Sequence, residues 1–175
     1  LVKTCRESGT PIVTRGGGMS YTSGYIATAP DSILVDMTSM DAIIEVNLDD
    51  RYVTVEVGCT WQKLYEKLSP LGVRTPYWGT LSGRFATVGG GLSQNSIFWG
   101  SGQRGTAADN VLSVSVVTGK GELIETGSAS QQRAAPFMRH FGPDLTGLFL
   151  GDCGAMGIKV RATLPLIPVA GAKGY

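Results

Sequence analysis

The sequence has few of the residues that build metal sites or disulfide frameworks. Among its 175 residues, His140 is the only histidine, and the three cysteines, Cys5, Cys59 and Cys153, are widely spaced without a CxxC pair. Structural zinc sites use four Cys or His ligands, so no bound metal is predicted. An odd number of scattered cysteines favours a reducing compartment over a disulfide framework.

The sequence also lacks an excess of charge and a long apolar run. Fifteen Lys and Arg residues against fourteen Asp and Glu residues leave a net charge of +1. No broad positive field is available to attract nucleic acid, so any bound anion must be held by local groups. Neither a transmembrane segment nor a signal peptide is visible. We therefore predict a cytoplasmic protein, with attachment to a membrane surface left open.

Glycine, in contrast, is abundant and clustered. The chain has 25 glycines, about twice the usual share of roughly 7%. Seventeen of them fall within residues 16–24, 79–105 and 142–157. Such density indicates either tight turns or backbone that comes close to a ligand. The absence of a short repeat argues against collagen and against a glycine-rich β-solenoid.

Hydrophobic periodicity predicts an α+β fold of short strands and a few helices. Alternating valines over 52–57 predict a half-buried strand, whereas the i, i+3, i+4, i+7 spacing from Trp61 to Leu71 predicts an amphipathic helix. Thr60 is its expected N-cap and Gly72 its end. Further predictions are a helix end within 1–10, strands at 11–15, 33–36, 43–47 and 158–167, a hairpin of 111–117 with 122–126, and a short helix at 145–150. We expect a domain over residues 1–168 that is truncated at both ends, with a linker beginning at 169–175.

The segment from Pro11 to Ser20 carries the clearest functional motif. A strand leads directly into Gly16, Gly17 and Gly18 and then into a serine. Consecutive backbone N–H groups in such a loop form a concave anion site suited to a pyrophosphate. Arg15 would either pair with that anion or brace the loop. The glycine spacing fits neither a P-loop nor a Rossmann motif.

This motif and four others, in the same order, resemble the FAD-linked oxidases of the vanillyl-alcohol oxidase and p-cresol methylhydroxylase type. The other four are Val57-Gly58 with the helix that follows, Thr87 to Gly91 with Asn95, Asp109 to Val111 with the hairpin, and Phe149 to Ile158. Within that family the similarity is greatest to the group of D-lactate dehydrogenase and the glycolate oxidase subunit. The resemblance implies a two-subdomain FAD-binding domain whose first strands and helix precede residue 1.

The resemblance also implies how the cofactor is held. The first loop would wrap the pyrophosphate, a Gly89-Gly90 turn with Asn95 and Ser101 would follow the ribityl chain and flavin, and Gly157-Ile158 would meet the adenosine. The implied cofactor-binding residues are Arg15, Gly16, Gly17, Gly18, Met19, Ser20, Gly89, Gly90, Asn95, Ser101, Gly154, Gly157 and Ile158. Structural alternatives remain for three of them, since Met19 suits a core, Asn95 a helix cap and Ile158 the start of a buried strand.

Departures from the family pattern refine these expectations. Met19 stands where many relatives have the histidine that links FAD covalently, so noncovalent FAD is predicted. Arg104 replaces a common tyrosine and lies either near the flavin or in solvent. Trp78 is a candidate for the flavin cleft and Trp61 for the core. His140 fits a surface or capping group better than a general base, and no catalytic residue is assigned.

The resemblance implies oxidation of a 2-hydroxy acid of the D-lactate or glycolate type by hydride transfer to flavin N5. The electrons then pass to an acceptor that the sequence does not identify. The substrate base would come from a C-terminal cap domain, so the chain alone is expected to bind flavin without turnover. The alternatives are a sugar or aldonolactone oxidase of the same fold and a non-catalytic flavin-binding fragment.

Overall fold

The computed structural model describes residues 1–140 and 142–169. The strands are β1 (Ile12–Arg15), β2 (Ile33–Asp36), β3 (Ile43–Asn47), β4 (Tyr52–Glu56), β5 (Val73–Arg74), β6 (Ser113–Val117), β7 (Leu123–Glu125), β8 (Ile158–Pro165) and β9 (Ile167–Pro168). The α-helices are α1 (Val2–Ser8), α2 (Trp61–Leu68), α3 (Val88–Ser93) and α4 (Ser101–Arg104). Short 3-10 turns lie at Ser69–Leu71, Ala108–Asn110, Gly127–Ser130 and Thr146–Phe149. Residues 170–175 of the expected linker lie outside the described residues.

Three sheets organise these elements. The largest has five antiparallel strands in the order β3-β4-β8-β6-β7, while β1 and β2 form a separate parallel pair and β5 pairs with β9. The parallel pair and the five-stranded sheet belong to different parts of the chain, in agreement with a two-subdomain architecture. The α+β prediction is confirmed.

The core lies between the five-stranded sheet and α2. Val53 and Val55 on β4 are fully buried, as their alternation predicted. Trp61, Leu64 and Leu68 form the buried face of α2. The side chain of Thr60 accepts a hydrogen bond from the Lys63 N–H at 3.1 Å, which confirms the predicted N-cap. Gly72 ends the following 3-10 turn in the left-handed conformation.

Two predicted elements differ in the structure. The strand expected over 158–167 is interrupted at Leu166, whose N–H donates to the Arg51 carbonyl at 2.7 Å, and β9 then pairs with β5. The predicted turn at Gly89-Gly90 is wrong, because both residues lie in α3. The Thr87 side chain caps this helix, and burial of Val88 and Leu92 compensates for the low helix propensity of glycine.

Candidate functional site

A cavity of about 570 Å³ lies where the glycine-rich segments meet. Its walls come from residues within 14–25, 80–98 and 153–159, with Met37 and Val57 between them. The volume is in the range of roughly 300 to 1,000 Å³ that holds small molecules and cofactors. All three glycine clusters contribute to this one cavity.

The loop that follows β1 lines the cavity and contains main-chain N–H groups without a described protein acceptor. The ladder with β2 ends where the Met37 N–H donates to the Arg15 carbonyl at 2.8 Å. Beyond that point, in the part of the chain that the structure describes, none of the five main-chain N–H groups from Gly16 to Ser20 donates to a protein acceptor. Clustered free N–H groups of this kind form a site for an anion.

The first glycines also satisfy a packing requirement that the sequence did not reveal. A Cβ on Gly17 would overlap the carbonyl oxygen of Phe85, and one on Gly16 would overlap the hydroxyl of Thr87. Gly18 has a φ of 67°, in the left-handed region. These glycines therefore allow both an open loop and close contact with the segment that leads into α3.

The glycines of helix α3 lie on two different faces of the helix. A Cβ on Gly89 would lie 2.7 Å from the Val57 Cβ, and one on Gly91 would lie 3.1 Å from Trp61 Nε1, so both face the core. Gly90 is exposed and lines the cavity, and the Thr87 hydroxyl is the one atom that its Cβ would meet within 4 Å. Gly90 is thus the glycine of α3 that keeps cavity space open.

The third wall contains a buried ion pair. Lys159 Nζ lies 2.6 Å from Asp152 Oδ1, and the two side chains are 3% and 4% exposed. Asp152 also accepts hydrogen bonds from the N–H groups of Gly154 at 3.0 Å and Met156 at 3.2 Å. Burial lowers the pKa of Lys159, while the neighbouring Asp152 carboxylate acts in the opposite direction.

Sequence reasoning missed Lys159. The available signal was a lysine within the apolar run from Ile158 to Ile167, a position where a charge needs a partner.

The charged side chains around the cavity are all of one sign. Arg15 and Lys159 are the charged residues among the lining residues that the structure describes, and no carboxylate is among them. The Arg15 guanidinium lies over the Tyr25 ring at 5.7 Å and takes part in none of the described ion pairs. Because Asp152 neutralises the charge of Lys159, the net positive charge that favours an anion at this wall comes from Arg15.

Eleven of the thirteen predicted site residues line this cavity. They are Arg15, Gly16, Gly17, Gly18, Met19, Ser20, Gly89, Gly90, Gly154, Gly157 and Ile158. Asn95 and Ser101 are not among the lining residues. Asn95 Oδ1 accepts a hydrogen bond from the Ala108 N–H at 3.0 Å, and Ser101 Oγ accepts one from the Phe98 N–H at 2.9 Å. In the structure both side chains accept hydrogen bonds from main-chain N–H groups, and neither is the N-cap side chain of a helix.

The structure also places the residues whose roles were open. Met19 is 43% exposed at the cavity and is not a core residue, whereas Trp61 is buried in the core. Trp78 lies outside the cavity lining, with the Arg74 guanidinium 4.5 Å from its ring centroid. Arg104 at the end of α4 and His140 are both exposed and do not line the cavity.

Neither a metal-ligand cluster nor a membrane-spanning helix occurs in the part of the chain that the structure describes. Across residues 1–140 and 142–169, no three His, Cys, Asp or Glu side chains are grouped so that they could hold a metal ion. No helix in the same residues has the length and apolar character needed to cross a membrane.

The fold and the cavity together define a ligand-binding α+β domain whose walls are suited to an anionic group. Comparison with known proteins gives the class of ligand. The family described as "FAD binding domain" matches residues 1–127. The chain belongs to this family, and its cofactor is FAD.

The relatives confirm the similarity to FAD-linked oxidases. The chain is 31% identical over 166 residues to a mitochondrial D-lactate dehydrogenase (cytochrome) of Arabidopsis thaliana, which covers 95% of this chain and 28% of the plant protein. It is 29% identical over 168 residues to the glycolate oxidase subunit GlcD of Bacillus subtilis, which covers 96% of this chain and 34% of the subunit. Cytokinin dehydrogenase 3 of Arabidopsis thaliana is 32% identical over 159 residues, 89% of this chain and 28% of that enzyme.

A solved structure shows the same fold. Alkyldihydroxyacetonephosphate synthase matches with a TM-score of 0.83 at 23% identity, over 98% of this chain and 32% of the synthase chain. The chain thus spans about a third or less of the length of these proteins. The chain is the FAD-binding part of a FAD-linked oxidoreductase.

Proposed function

We propose that the cavity holds FAD with its pyrophosphate against the loop from Gly16 to Ser20. The observation that carries this proposal is the set of five N–H groups without a described protein acceptor, in a loop that lines a cavity with no carboxylate among its described lining residues. Their donors would take the phosphate oxygens, and the Ser20 hydroxyl would add another. The residues present therefore fit the diphosphate of FAD.

The two remaining walls accommodate the two ends of the cofactor. The exposed surface of Gly90 lets a flat group approach α3, and we assign this side to the ribityl chain and flavin. The backbone around Gly154, Gly157 and Ile158 lines the opposite wall and is assigned to the adenosine. Asn95 and Ser101 would act on this arrangement indirectly, through the hydrogen bonds that they accept from the Ala108 and Phe98 N–H groups.

We propose that the FAD is noncovalent. Met19 occupies the loop position at which a histidyl bond would form, and a thioether cannot form that bond. His140 lies outside the cavity lining. Purified protein is expected to show a two-band flavin spectrum after reconstitution, and acid precipitation should release all of the flavin into the supernatant. Flavin that stays with the precipitate would contradict the noncovalent assignment, and protein that takes up no FAD would contradict the cavity assignment.

We propose further that the whole protein oxidises a 2-hydroxy acid. The support is the similarity to proteins named for D-lactate and glycolate. When bound, FAD supplies the hydride acceptor. The role of this chain is to orient the cofactor and to exclude water around it. A substrate base from a further domain beyond 169–175 completes the proposal, so the chain alone should not turn over.

Substrate class is tested with the full-length protein under anaerobic conditions. D-lactate or glycolate should bleach the flavin absorbance, and aldonolactones should not. Bleaching by an aldonolactone alone would favour the sugar oxidase instead. The acceptor for the electrons is a separate partner, and a cytoplasmic location remains a proposal that rests on the three free cysteines.

A further inference from the structure

Lys159 has donor capacity that the protein does not use. A lysine ammonium carries three N–H donors. The hydrogen bond described for Lys159 Nζ goes to Asp152 Oδ1 at 2.6 Å. Its side chain is 3% exposed, yet the residue lines the cavity. A buried ammonium with free donors is costly unless another acceptor completes its shell.

Asp152, in contrast, is well satisfied. Its carboxylate accepts from Lys159 and from the N–H groups of Gly154 and Met156. The free capacity of the pair therefore lies on the lysine, a residue that lines a cavity without carboxylates among the described lining residues. Asp152 holds both the ammonium and the loop that carries Gly154.

This wall lies beside the loop with unpaired N–H groups. A Cβ on Gly154 would be 3.5 Å from Thr14 Oγ1, and Thr14 is two residues before Gly16. Gly154, which Asp152 links to Lys159, thus lies close to the strand that leads into the anion loop.

We propose that the Lys159 ammonium binds a phosphate oxygen of the nucleotide and thereby makes the cavity select phosphorylated flavins over riboflavin. The proposal rests on the proposed function, since it requires the dinucleotide to occupy this cavity. Asp152 is a positioning residue in this arrangement. The ion pair carries no net charge, but it fixes the position of the ammonium and its remaining N–H donors before the ligand binds.

The test compares FAD and riboflavin binding by flavin fluorescence in the 175-residue chain. The variant Asp152→Asn/Lys159→Met removes both charges with little change in size, so no charge is left buried alone. We expect its FAD dissociation constant to rise at least tenfold while that of riboflavin changes less than twofold. Lys159→Arg, which keeps the charge, should retain most of the preference for FAD.

The pair Asp41 and Lys63 provides the matched control. Its charges are also 2.6 Å apart, but the side chains are 49% and 46% exposed and do not line the cavity. Asp41→Asn/Lys63→Met should leave both dissociation constants unchanged. A folded Asp152→Asn/Lys159→Met variant that keeps its preference for FAD, or that loses FAD and riboflavin binding equally, would overturn the assignment.

Two further measurements separate the possible failures. If circular dichroism shows that the double variant is unfolded, Asp152→Asn/Lys159→Gln replaces it with the same expected loss, because two neutral amides leave no buried charge and can still form a hydrogen bond with each other. Thermal unfolding in the presence of ADP or adenosine tests the phosphate contact without flavin. In the wild-type chain ADP should raise the midpoint of thermal unfolding more than adenosine does. This advantage of ADP should shrink in the double variant, and an advantage that the folded double variant keeps in full would overturn the Lys159 assignment. A wild-type chain that takes up no FAD would contradict the proposed function, whatever its response to ADP.

Discussion

Gly90 is the residue at which helix stability and cavity space make opposite demands. Alanine at an interior helix position is more stable than glycine by up to about 1 kcal/mol. A methyl group at Gly90 would meet the Thr87 hydroxyl at 3.3 Å and otherwise extend into the cavity. Gly90→Ala should therefore preserve or raise the unfolding midpoint while it raises the FAD dissociation constant about tenfold, a loss of ~1.4 kcal/mol.

Gly102→Ala is the control for this prediction. Gly102 also lies in a helix, no atom lies within 4 Å of its Cβ position, and it does not line the cavity. Its substitution should leave the FAD dissociation constant unchanged. If Gly90→Ala and Gly102→Ala bind FAD equally well, Gly90 does not face the cofactor.

The three cysteines give a second measurement at the residue scale. Cys153 is exposed and lines the cavity, whereas Cys5 and Cys59 are buried. Burial raises the pKa of Cys59 to about 11, so its reactive thiolate is scarce near pH 8. A thiol reagent should modify one cysteine in the native protein and three after denaturation. Saturating FAD should slow the native reaction at least tenfold, and an unchanged rate would place the cofactor elsewhere.

Sequence reasoning was most informative where a residue's role depends on its immediate neighbours. The run from Gly16 to Ser20 predicted an open anion loop because successive N–H groups belong to the local backbone. The contact of Gly17 with the Phe85 carbonyl joins residues far apart in the chain and could not be read from the motif. Lys159 was missed for another reason: its partner Asp152 is close in the chain, but the conformation of the loop between them decides whether the two side chains meet.

At the scale of elements, two threonine caps provide a comparison within one protein. Thr60 caps α2 and Thr87 caps α3, and Thr87 alone of the two lines the cavity. Loss of either cap should lower the free energy of unfolding by about 1 kcal/mol. We expect Thr87→Ala also to raise the FAD dissociation constant severalfold, because α3 carries Gly90, whereas Thr60→Ala should not.

Thr87→Ser keeps the hydroxyl, so it should retain most of the wild-type stability and most of the wild-type affinity for FAD. Urea unfolding and FAD titration of the three variants check the prediction. It fails if Thr60→Ala and Thr87→Ala change FAD binding to the same extent.

The elements also differ in how far the sequence predicted them. Helix α2 was predictable because its cap, its apolar stripe and the glycine after its last turn are all local signals. Helix α3 was missed because its three glycines indicate a turn, while its stability comes from burial of Val88 and Leu92. The pairing of β9 with β5 depends on a contact between distant segments, which periodicity does not report.

At the scale of the whole molecule, acid should weaken the fold through carboxylates that are ionised in the native state. The hydrogen bond from Arg139 lowers the pKa of Asp144, and hydrogen bonds from the Thr106 N–H and hydroxyl lower the pKa of Asp109. A carboxyl group with a lowered pKa in the folded state stabilises the fold above its unfolded pKa, and this contribution is lost as the pH falls through the folded value.

The unfolding midpoint should accordingly be steady from pH 5 to 8 and fall below about pH 4, the unfolded value for aspartate. Asp144→Asn should lower the midpoint at pH 7, and its difference from the wild type should shrink at pH 3. Thermal unfolding across this range checks the prediction, and a difference that grows at pH 3 would contradict it.

The most direct measurement of the central claim is hydrogen exchange of the main-chain amides with and without FAD. In the free protein the N–H groups from Gly16 to Ser20 have no described protein acceptor and should exchange rapidly. FAD should slow exchange at residues 16–20 and at the wall around 154–158, and it should leave the exposed hairpin turn at 118–121 unchanged. Bound FAD without protection at residues 16–20 would contradict the proposed pyrophosphate site.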